Sequence, residues 1–173
     1  MGVGIILIVI TVNFAVTNSM EKKKSKLFAL LRILAFLCVI VYLIEVKFRI
    51  IHITGESMNP TYHTGDISLL HKKHYENKKI QVGDVVCANV HAEGEKVHII
   101  KRVLAIPGDL VVIYEGCLFV NGKINRDYGI GKLPFVTVSH LLKKDEYFLD
   151  GDNRQESQFF IVKRNDITGK IIL

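Results

Sequence analysis

The sequence predicts a mainly β, antiparallel domain preceded by one or two N-terminal transmembrane helices. Apolar residues make up 49% of the 173 residues, and the mean hydropathy of +0.28 is high for a soluble protein, which indicates membrane segments. Beyond residue 46 the pattern changes to short apolar runs broken by Gly, Asp and Asn. Such runs are typical of strands joined by tight turns, so we expect one β domain over residues 47–173.

Two apolar stretches account for the high hydropathy. Residues 27–46 would form a helix about 30 Å long, enough to cross the hydrocarbon core of a bilayer, and we predict the main span there. Residues 2–17 carry no charge, but this run is shorter and includes Thr11 and Asn13. Two interpretations of it stay open: a first span, or a chain whose translation starts at Met20 and that has one span.

The residues between the two stretches predict the orientation. Residues 18–26 contain four Lys and one Glu, and short Lys-rich loops stay on the cytoplasmic side of a membrane. We therefore interpret residues 1–46 as a membrane anchor in which 18–26 are the cytoplasmic loop. Residues 47–173 are then predicted to fold on the extracytoplasmic face of the cell membrane, with either one span or two.

Charge and cysteine content exclude several function classes. The formal net charge is +6, but no basic stripe is interleaved with aromatic residues, so nucleic-acid binding is not expected. Three Cys are too few for a disulfide-dense scaffold. The Cys residues lack metal-site spacing, His71 and His74 lack a third ligand, and no metal is predicted. Cys87 and Cys117 either pair or remain free thiols, and free thiols are favoured because nothing in the sequence brings them together.

The β prediction rests on short apolar runs. Asn121-Gly122 follows one of them and predicts a tight hairpin, because both residue types tolerate the positive φ of such a turn. Residues 125–144 are the least regular part of the domain and are expected to form a flap or peripheral loops. The predicted strands are 67–70, 84–88, 97–100, 110–114, 118–120, 147–149 and 167–172.

Three segments of the predicted β domain carry residues suited to catalysis. The first segment has Ser57 before Met58 and, three residues on, a Pro that rigidifies the turn. The first, second and third segments are residues 55–61, 101–109 and 151–157. The matches within and around them are Ser57-Met58-Asn59-Pro60-Thr61, Gly65-Asp66, Gly83-Asp84-Val85-Val86, Lys101-Arg102-Val103, Pro107-Gly108-Asp109, Asn121-Gly122 and Gly151-Asp152-Asn153-Arg154. In this order behind a membrane anchor, the series resembles type I signal peptidases over residues 53–170.

The resemblance implies a serine endopeptidase that removes signal peptides from exported preproteins, after small residues at positions −1 and −3. Its nucleophile would be Ser57 and its general base Lys101, with Ser157 orienting the lysine. The backbone N–H of Ser57 would be one oxyanion donor. Some family members add a hydroxyl two residues before the nucleophile, but that position is Gly55 here and has none. No cofactor is implied.

The resemblance also implies supporting residues. Asp152 would pair with Arg102 and hold the strand that carries the lysine, and Arg154 belongs to the same third segment. A shallow apolar pocket would admit a small −1 side chain and exclude larger ones sterically. The expected pocket residues, which a role in the strand core explains equally well, are Met58, Ile53 and Ile99.

The residues around Lys101 suit a base for a physical reason. A lysine with its ordinary pKa of about 10.4 is protonated at pH 7 and cannot accept a proton. Burial among apolar side chains disfavours the ammonium and lowers the pKa. On a strand, Lys101 shares one face with Ile99 and Val103. Desolvation is therefore expected, whereas Arg102 points the other way and keeps its charge.

The third segment departs from the family pattern. In the family, the serine at the position of Ser157 is usually followed by Asp-Ser-Arg and an aromatic-Gly segment, whereas here Gln158 and two Phe follow. The acidic partner of Arg154 is therefore expected to be missing, and the local scaffold is expected to be looser.

Alternative functions stay open beside a general signal peptidase. One is a protease dedicated to a pilin-like or mobile-element substrate, and another is an inactive membrane protein that binds signal peptides. A self-cleaving repressor with the same Ser/Lys pair would need an N-terminal helix-turn-helix, and the apolar N-terminus argues against it. The expected partners are exported preproteins and the lipid bilayer, with contact to the secretion machinery as a further expectation and no nucleic acid.

Overall fold

The computed structural model describes Thr11, residues 25–92 and residues 94–172. The chain divides into two compact units, residues 1–46 and 47–173. Within the predicted membrane anchor, the first span at 2–17 and the basic loop at 18–26 lie outside the described residues, apart from Thr11, Ser25 and Lys26.

The apolar run at 27–46 is helical. Helix α1 (Ser25–Lys47) contains no Gly or Pro, so nothing in its interior interrupts the backbone hydrogen bonds. Within the part of the chain that the structure describes, Phe28–Lys47 is the one helical segment long and apolar enough to cross a membrane. Its large apolar side chains are exposed rather than packed inside the protein, which suits a lipid-facing helix.

The second unit is built from antiparallel strands. The described strands are β1 (Phe48–His52), β2 (Ile67–His71), β3 (Val85–Ala92), β4 (Glu95–Ala105), β5 (Leu110–Tyr114), β6 (Cys117–Val120), β7 (Lys123–Ile124), β8 (Val138–Leu141), β9 (Glu146–Asp150), β10 (Phe160–Lys163) and β11 (Ile167–Ile171). Seven of them form one sheet in the order β1-β2-β11-β3-β4-β9-β10, and four form a second sheet in the order β7-β6-β5-β8. Their pairings are antiparallel, which confirms the predicted mainly β class.

The predicted strands are all present, and the predicted hairpin forms between β6 and β7. Asn121 and Gly122 have φ values of 52° and 78° there, as a tight hairpin turn requires. Strands β1, β8 and β10 lie outside the predicted runs. β8 falls in the stretch expected to be irregular, and it is a strand because it pairs with β5. The cysteines Cys38, Cys87 and Cys117 are free thiols.

Strand β9 is buried on both faces. Leu149 packs in one core cluster with Val86 and Val103, whereas Phe148 belongs to a second cluster that includes Val111 and Leu118. Successive residues of a strand point to opposite faces, so the two clusters hold β9 from both sides. Burying a side chain of this size contributes about 1.5–3 kcal/mol. The end of β9, where the third segment begins, is therefore firmly placed.

Candidate active site

A cleft of about 860 Å³ brings residues of the three segments together. Ser57, Lys101 and Ser157 all line it, although the first and the last are 100 residues apart in the sequence. Ser57 lies in a turn after β1 and is half-buried. Lys101 lies on β4 with 5% of its surface exposed, and Ser157 is 9% exposed. Lys101 therefore lines the cleft as a largely buried residue.

Lys101 is held by a chain of hydrogen bonds. Its Nζ donates to Ser157 Oγ over 2.7 Å, and Ser157 Oγ donates to Asp150 Oδ1 over 2.7 Å. The backbone N–H of Gly151 also donates to Ser157 Oγ, at 2.9 Å. A hydroxyl has one proton and two lone pairs. The Gln158 carbonyl also lies within reach of Ser157 Oγ, at 3.3 Å, but Asp150 at 2.7 Å is the closer acceptor for the proton. Because Ser157 gives its proton to Asp150, it accepts from Lys101 and leaves the lone pair of a neutral amine for another partner.

Burial shifts the pKa values of Lys101 and Asp150 in opposite directions. It lowers the pKa of Lys101, against the opposing effect of the Asp150 and Asp152 carboxylates. Asp150 is fully buried, and burial raises its pKa, against hydrogen bonds from its neighbours and the charges of Lys101 and Arg154. The shift in the pKa of Lys101 favours its neutral amine. A neutral lysine amine can accept a proton, whereas the ordinary ammonium cannot.

The third segment fixes the backbone around Ser57. The Ser57 carbonyl accepts a 3.0 Å hydrogen bond from the Asn153 N–H, and Asn153 Nδ2 donates to the Glu56 carbonyl at 3.3 Å. Gly151 approaches so closely that a Cβ on it would lie 2.1 Å from the Ser57 carbonyl oxygen and 2.6 Å from Ser157 Oγ. Only glycine fits this close approach of the first and third segments.

An arginine–aspartate pair links the three segments. Arg102 Nε donates to Asp152 Oδ1 at 2.7 Å, and a second guanidinium nitrogen donates to Oδ2 at 2.5 Å. Thr61 of the first segment donates to the same carboxylate, and Arg102 also donates to the Gly83 carbonyl at 2.8 Å. The Arg102 and Asp152 side chains are 13% and 7% exposed. The hydrogen bonds with Asp152 raise the pKa of Arg102, so the guanidinium next to Lys101 in the chain keeps its charge.

A family model described as "Signal peptidase, peptidase S26" matches residues 26–173. The chain belongs to this family. The match covers α1 from its second residue onward and the whole described β unit, and it confirms the resemblance carried by the three segments.

Individual relatives agree with the family match. The chain is 28% identical over 158 residues to the signal peptidase I P of Bacillus subtilis subsp. natto, covering 79% of this chain and 80% of that protein. It is 28% identical over 142 residues to the signal peptidase IB of Staphylococcus aureus strain COL, covering 69% and 73%. A crystal structure of a signal peptidase I from Enterococcus faecalis V583 aligns with 55% of this chain and 98% of that chain, with a TM-score of 0.43 and 22% identity.

The residues expected to line the pocket of this signal peptidase family member lie at the cleft. Met58, Ile53 and Ile99 line it, as does Gly55. Met58 and Ile53 are each 2% exposed, so both are also part of the protein core. Gly55 has a φ of 89°, and the space where its Cβ would be is open.

One expectation about the third segment is wrong. Arg154 has an acidic neighbour, because its Nε lies 3.9 Å from Asp150 Oδ2. It also donates to the Tyr128 carbonyl at 2.7 Å. After the departure from the family pattern, Phe160–Lys163 form β10 and pair with β9.

The sequence alone indicates no specific contact for Asp150 or Thr61. Asp150 precedes the Gly-Asp of the third segment and has no recognisable pattern of its own, although a buried strand that ends on an acid is a usable signal once burial is known. Thr61 is part of the first segment, but its contact with Asp152 joins residues 91 positions apart. Only the folded chain brings these groups together.

Proposed function

We propose that this chain is a membrane-bound type I signal peptidase, a serine endopeptidase in which Ser57 is the nucleophile and Lys101 the general base. Its substrates are exported preproteins, cut after small residues at −1 and −3. The proposal rests most heavily on one observation: buried Lys101 donates a 2.7 Å hydrogen bond to Ser157 in the cleft that Ser57 also lines.

In the proposed reaction, Lys101 takes the proton of Ser57 as Ser57 Oγ attacks the scissile carbonyl carbon. The lysine then gives this proton to the leaving amine as the C–N bond breaks, and an ester joins Ser57 to the signal peptide. Water attacks the ester carbonyl while Lys101 takes its proton, and Ser57 recovers that proton as the ester C–O bond breaks. The Ser57 N–H is the expected oxyanion donor, whereas Gly55 contributes no hydroxyl.

The membrane arrangement belongs to the same proposal. Residues 1–46 serve as the anchor and residues 47–173 as the catalytic domain on the extracytoplasmic face of the cell membrane. The candidate span ends at Lys47, and the four Lys of residues 18–26 favour a cytoplasmic loop before it. Contact with the secretion machinery would deliver preproteins to this face.

The test is cleavage of preproteins by the detergent-solubilised full-length chain, read by intact mass. We expect a cut after a small-x-small site that disappears in Ser57→Ala. Lys101→Met should lower the rate by at least about 100-fold, as expected for loss of a general base, and Lys101→Arg should do the same because a guanidinium stays protonated. The matched controls are exposed residues, Ser139→Ala on β8 and Lys96→Met on β4, and both should cleave normally.

Two results would contradict the proposal. Cleavage by Ser57→Ala or Lys101→Met at a near-normal rate would remove the nucleophile or the base. A folded wild-type chain that cuts none of several preproteins would instead favour a protease with a dedicated substrate, or an inactive protein that binds signal peptides. Within an active enzyme, cleavage should rise with pH through the pKa of folded Lys101, since only the neutral amine accepts a proton.

A further inference from the structure

Residues 125–131, called here the brace segment, contact two arginines, Arg102 of the second segment and Arg154 of the third. We propose that Tyr128 and Gly129 of the brace segment are positioning residues for the lysine: they hold the two arginines against the two buried carboxylates beside it. This inference rests on the proposed function of Lys101 as a base, and neither Tyr128 nor Gly129 lines the cleft.

The ring of Tyr128 covers the first arginine. Arg102 Cζ lies 4.9 Å from the ring centroid, within the range of a cation–π interaction. The Arg102 and Tyr128 side chains both reach Gly83. Arg102 donates to the Gly83 carbonyl at 2.8 Å, and a Cβ on Gly83 would lie 2.5 Å from the Tyr128 hydroxyl oxygen. The guanidinium is therefore confined between the ring, Gly83 and the carboxylate of Asp152.

The backbone of the brace segment holds the second arginine. The Tyr128 carbonyl accepts a 2.7 Å hydrogen bond from Arg154, and Asn125 Oδ1 accepts another at 3.4 Å. Gly129 permits this approach, since a Cβ there would lie 2.5 Å from Arg154 Nε. That nitrogen in turn lies 3.9 Å from Asp150 Oδ2. The brace segment thus determines how close the guanidinium comes to the acid that orients Ser157.

Backbone hydrogen bonds attach the brace segment to the third segment. The Ile130 N–H donates to the Asp152 carbonyl at 2.6 Å, and the Arg154 N–H donates to the Ile130 carbonyl at 2.9 Å. Ile130 and Asn153 form a parallel β-bridge. Movement of the brace segment would therefore be transmitted directly to the residues that carry both carboxylate–arginine contacts.

Charge explains why these contacts matter for the lysine. Asp150 and Asp152 favour the ammonium form of Lys101, against burial, and the two guanidinium groups oppose the field of these carboxylates. If one of these arginines moves away, the negative charge of its carboxylate partner is less neutralised and acts more strongly on Lys101. The pKa of Lys101 then rises, and less of the neutral base is present at pH 7. The other titratable groups that line the cleft are His52, Glu56, Cys87, His98 and Glu156, all outside the brace segment.

The experiment compares Tyr128→Leu with Tyr128→Phe in the full-length chain in detergent, by the pH dependence of preprotein cleavage. Tyr128→Leu removes the aromatic ring that covers Arg102. In this variant the rising limb, the part of the pH profile in which cleavage increases as Lys101 loses its proton, should move to higher pH by about half a unit or more. That lowers kcat at pH 7 by about threefold or more, since the neutral fraction of a base falls about tenfold per pKa unit below its pKa. KM should stay unchanged. Tyr128→Phe keeps the ring and should match the wild type.

Gly129→Ala tests the Arg154 contact with a matched control. The added Cβ should displace the guanidinium from Asp150 and shift the rising limb in the same direction. Gly122→Ala has a similar positive φ, at 78° against 90° for Gly129, but open space where its Cβ would be. It carries the same kind of backbone strain without touching an arginine, so its pH profile should match that of the wild type.

A direct titration separates this inference from the proposed function. The full-length chain labelled with ¹³Cε-lysine gives the pKa of Lys101 by NMR, with its signal assigned by loss in Lys101→Met. We expect a higher pKa in Tyr128→Leu and Gly129→Ala than in Tyr128→Phe and Gly122→Ala, whether or not any preprotein is cut. An unchanged Lys101 pKa in both of the first two variants overturns the inference, as does a loss of activity that appears in KM alone. Absence of cleavage by a folded wild type with the expected titration shifts overturns only the proposed function.

Discussion

Lys101 Nζ lies 2.7 Å from Ser157 Oγ, and the same hydroxyl lies 2.7 Å from the fully buried Asp150. A lysine has a flexible four-carbon stem with about 2 kcal/mol of rotamer entropy, so a base of this type needs a partner that selects one position of the amine. Here the serine supplies that partner, and the acid fixes the serine. The proposed site thus has the arrangement common to activated serines, in which a base activates the nucleophile and a third group orients the base.

Removal of the serine hydroxyl should reduce catalysis rather than binding. In Ser157→Ala, Lys101 loses its acceptor and Asp150 loses one donor, so we expect kcat to fall by about 10- to 100-fold with KM unchanged. Steady-state cleavage of a preprotein measures both constants. Ser139→Ala, an exposed serine on β8, is the control and should cleave normally. A Ser157→Ala enzyme with a kcat within about twofold of the wild type would show that the lysine is oriented by other contacts.

The absence of a side chain at Gly151 should be essential for both packing and cleavage. A Cβ at this position would lie 2.1 Å from the Ser57 carbonyl oxygen, so Gly151→Ala must separate the first and third segments. We expect a loss of about 1–3 kcal/mol in the free energy of unfolding, typical of an overpacked site. Cleavage should fall by about 100-fold or more, because a displacement of about 1 Å at a reacting group can have that effect.

Urea unfolding and preprotein cleavage of the same samples test the Gly151 prediction. Gly122→Ala, with open space at its Cβ position, is the control and should keep its activity. Normal cleavage by Gly151→Ala would mean that the two segments tolerate a wider separation than their contact indicates.

The Arg102–Asp152 pair should contribute far more to stability than an exposed pair. Its side chains are 13% and 7% exposed, and removal of one partner from a buried pair destabilises a protein by about 3–5 kcal/mol. We expect Asp152→Ala to approach this range in urea unfolding. The control is Glu76→Ala, which breaks a pair with Lys73 whose side chains are 59% and 44% exposed and should change stability by less than about 1 kcal/mol. Equal effects of the two substitutions would contradict a structural role for Asp152.

The sequence was sufficient to predict the strands whose residues alternate or are continuously apolar. It also predicted the hairpin at Asn121-Gly122, because the positive φ of that turn is a local property of the two residues. Strand β8 has no such local signal, since Ser139 and His140 interrupt its apolar residues, and it depends on pairing with β5. Strand existence follows from sequence where the pattern is local and fails where a partner strand decides it.

The candidate site divides in the same way. Ser57, Lys101 and Ser157, which line one cleft, are predicted as site residues because they lie in short segments with a recognisable order. Asp150 and Tyr128 have no such segment, and their importance comes from burial and from contacts between residues far apart in the chain. The wrong expectation for Arg154 has this origin. The family pattern places an acidic residue after the serine at position 157, whereas the acidic neighbour here is Asp150, four residues before Arg154.

The buried amine that suits Lys101 to act as a base should also reduce the stability of the protein. Burial lowers the pKa of Lys101 in the folded chain, so in the pH range between the folded and unfolded pKa values the unfolded chain binds more protons, and stability rises with pH. Below the folded pKa the unfavourable burial of the ammonium is present in full, and it disappears as the pH approaches the ordinary lysine value of about 10.4. Lys101→Met should therefore raise the free energy of unfolding at neutral pH by about 0.5–2 kcal/mol, the range typical of stabilising substitutions. Urea unfolding between pH 6 and 11 should show this difference shrinking as the pH rises, while Lys96→Met, on the same strand but exposed, should show none. Two results would contradict this prediction: a Lys101→Met chain that is less stable than the wild type at neutral pH, or a stability difference that does not change with pH. Either would mean that burial of the Lys101 ammonium does not destabilise the folded chain.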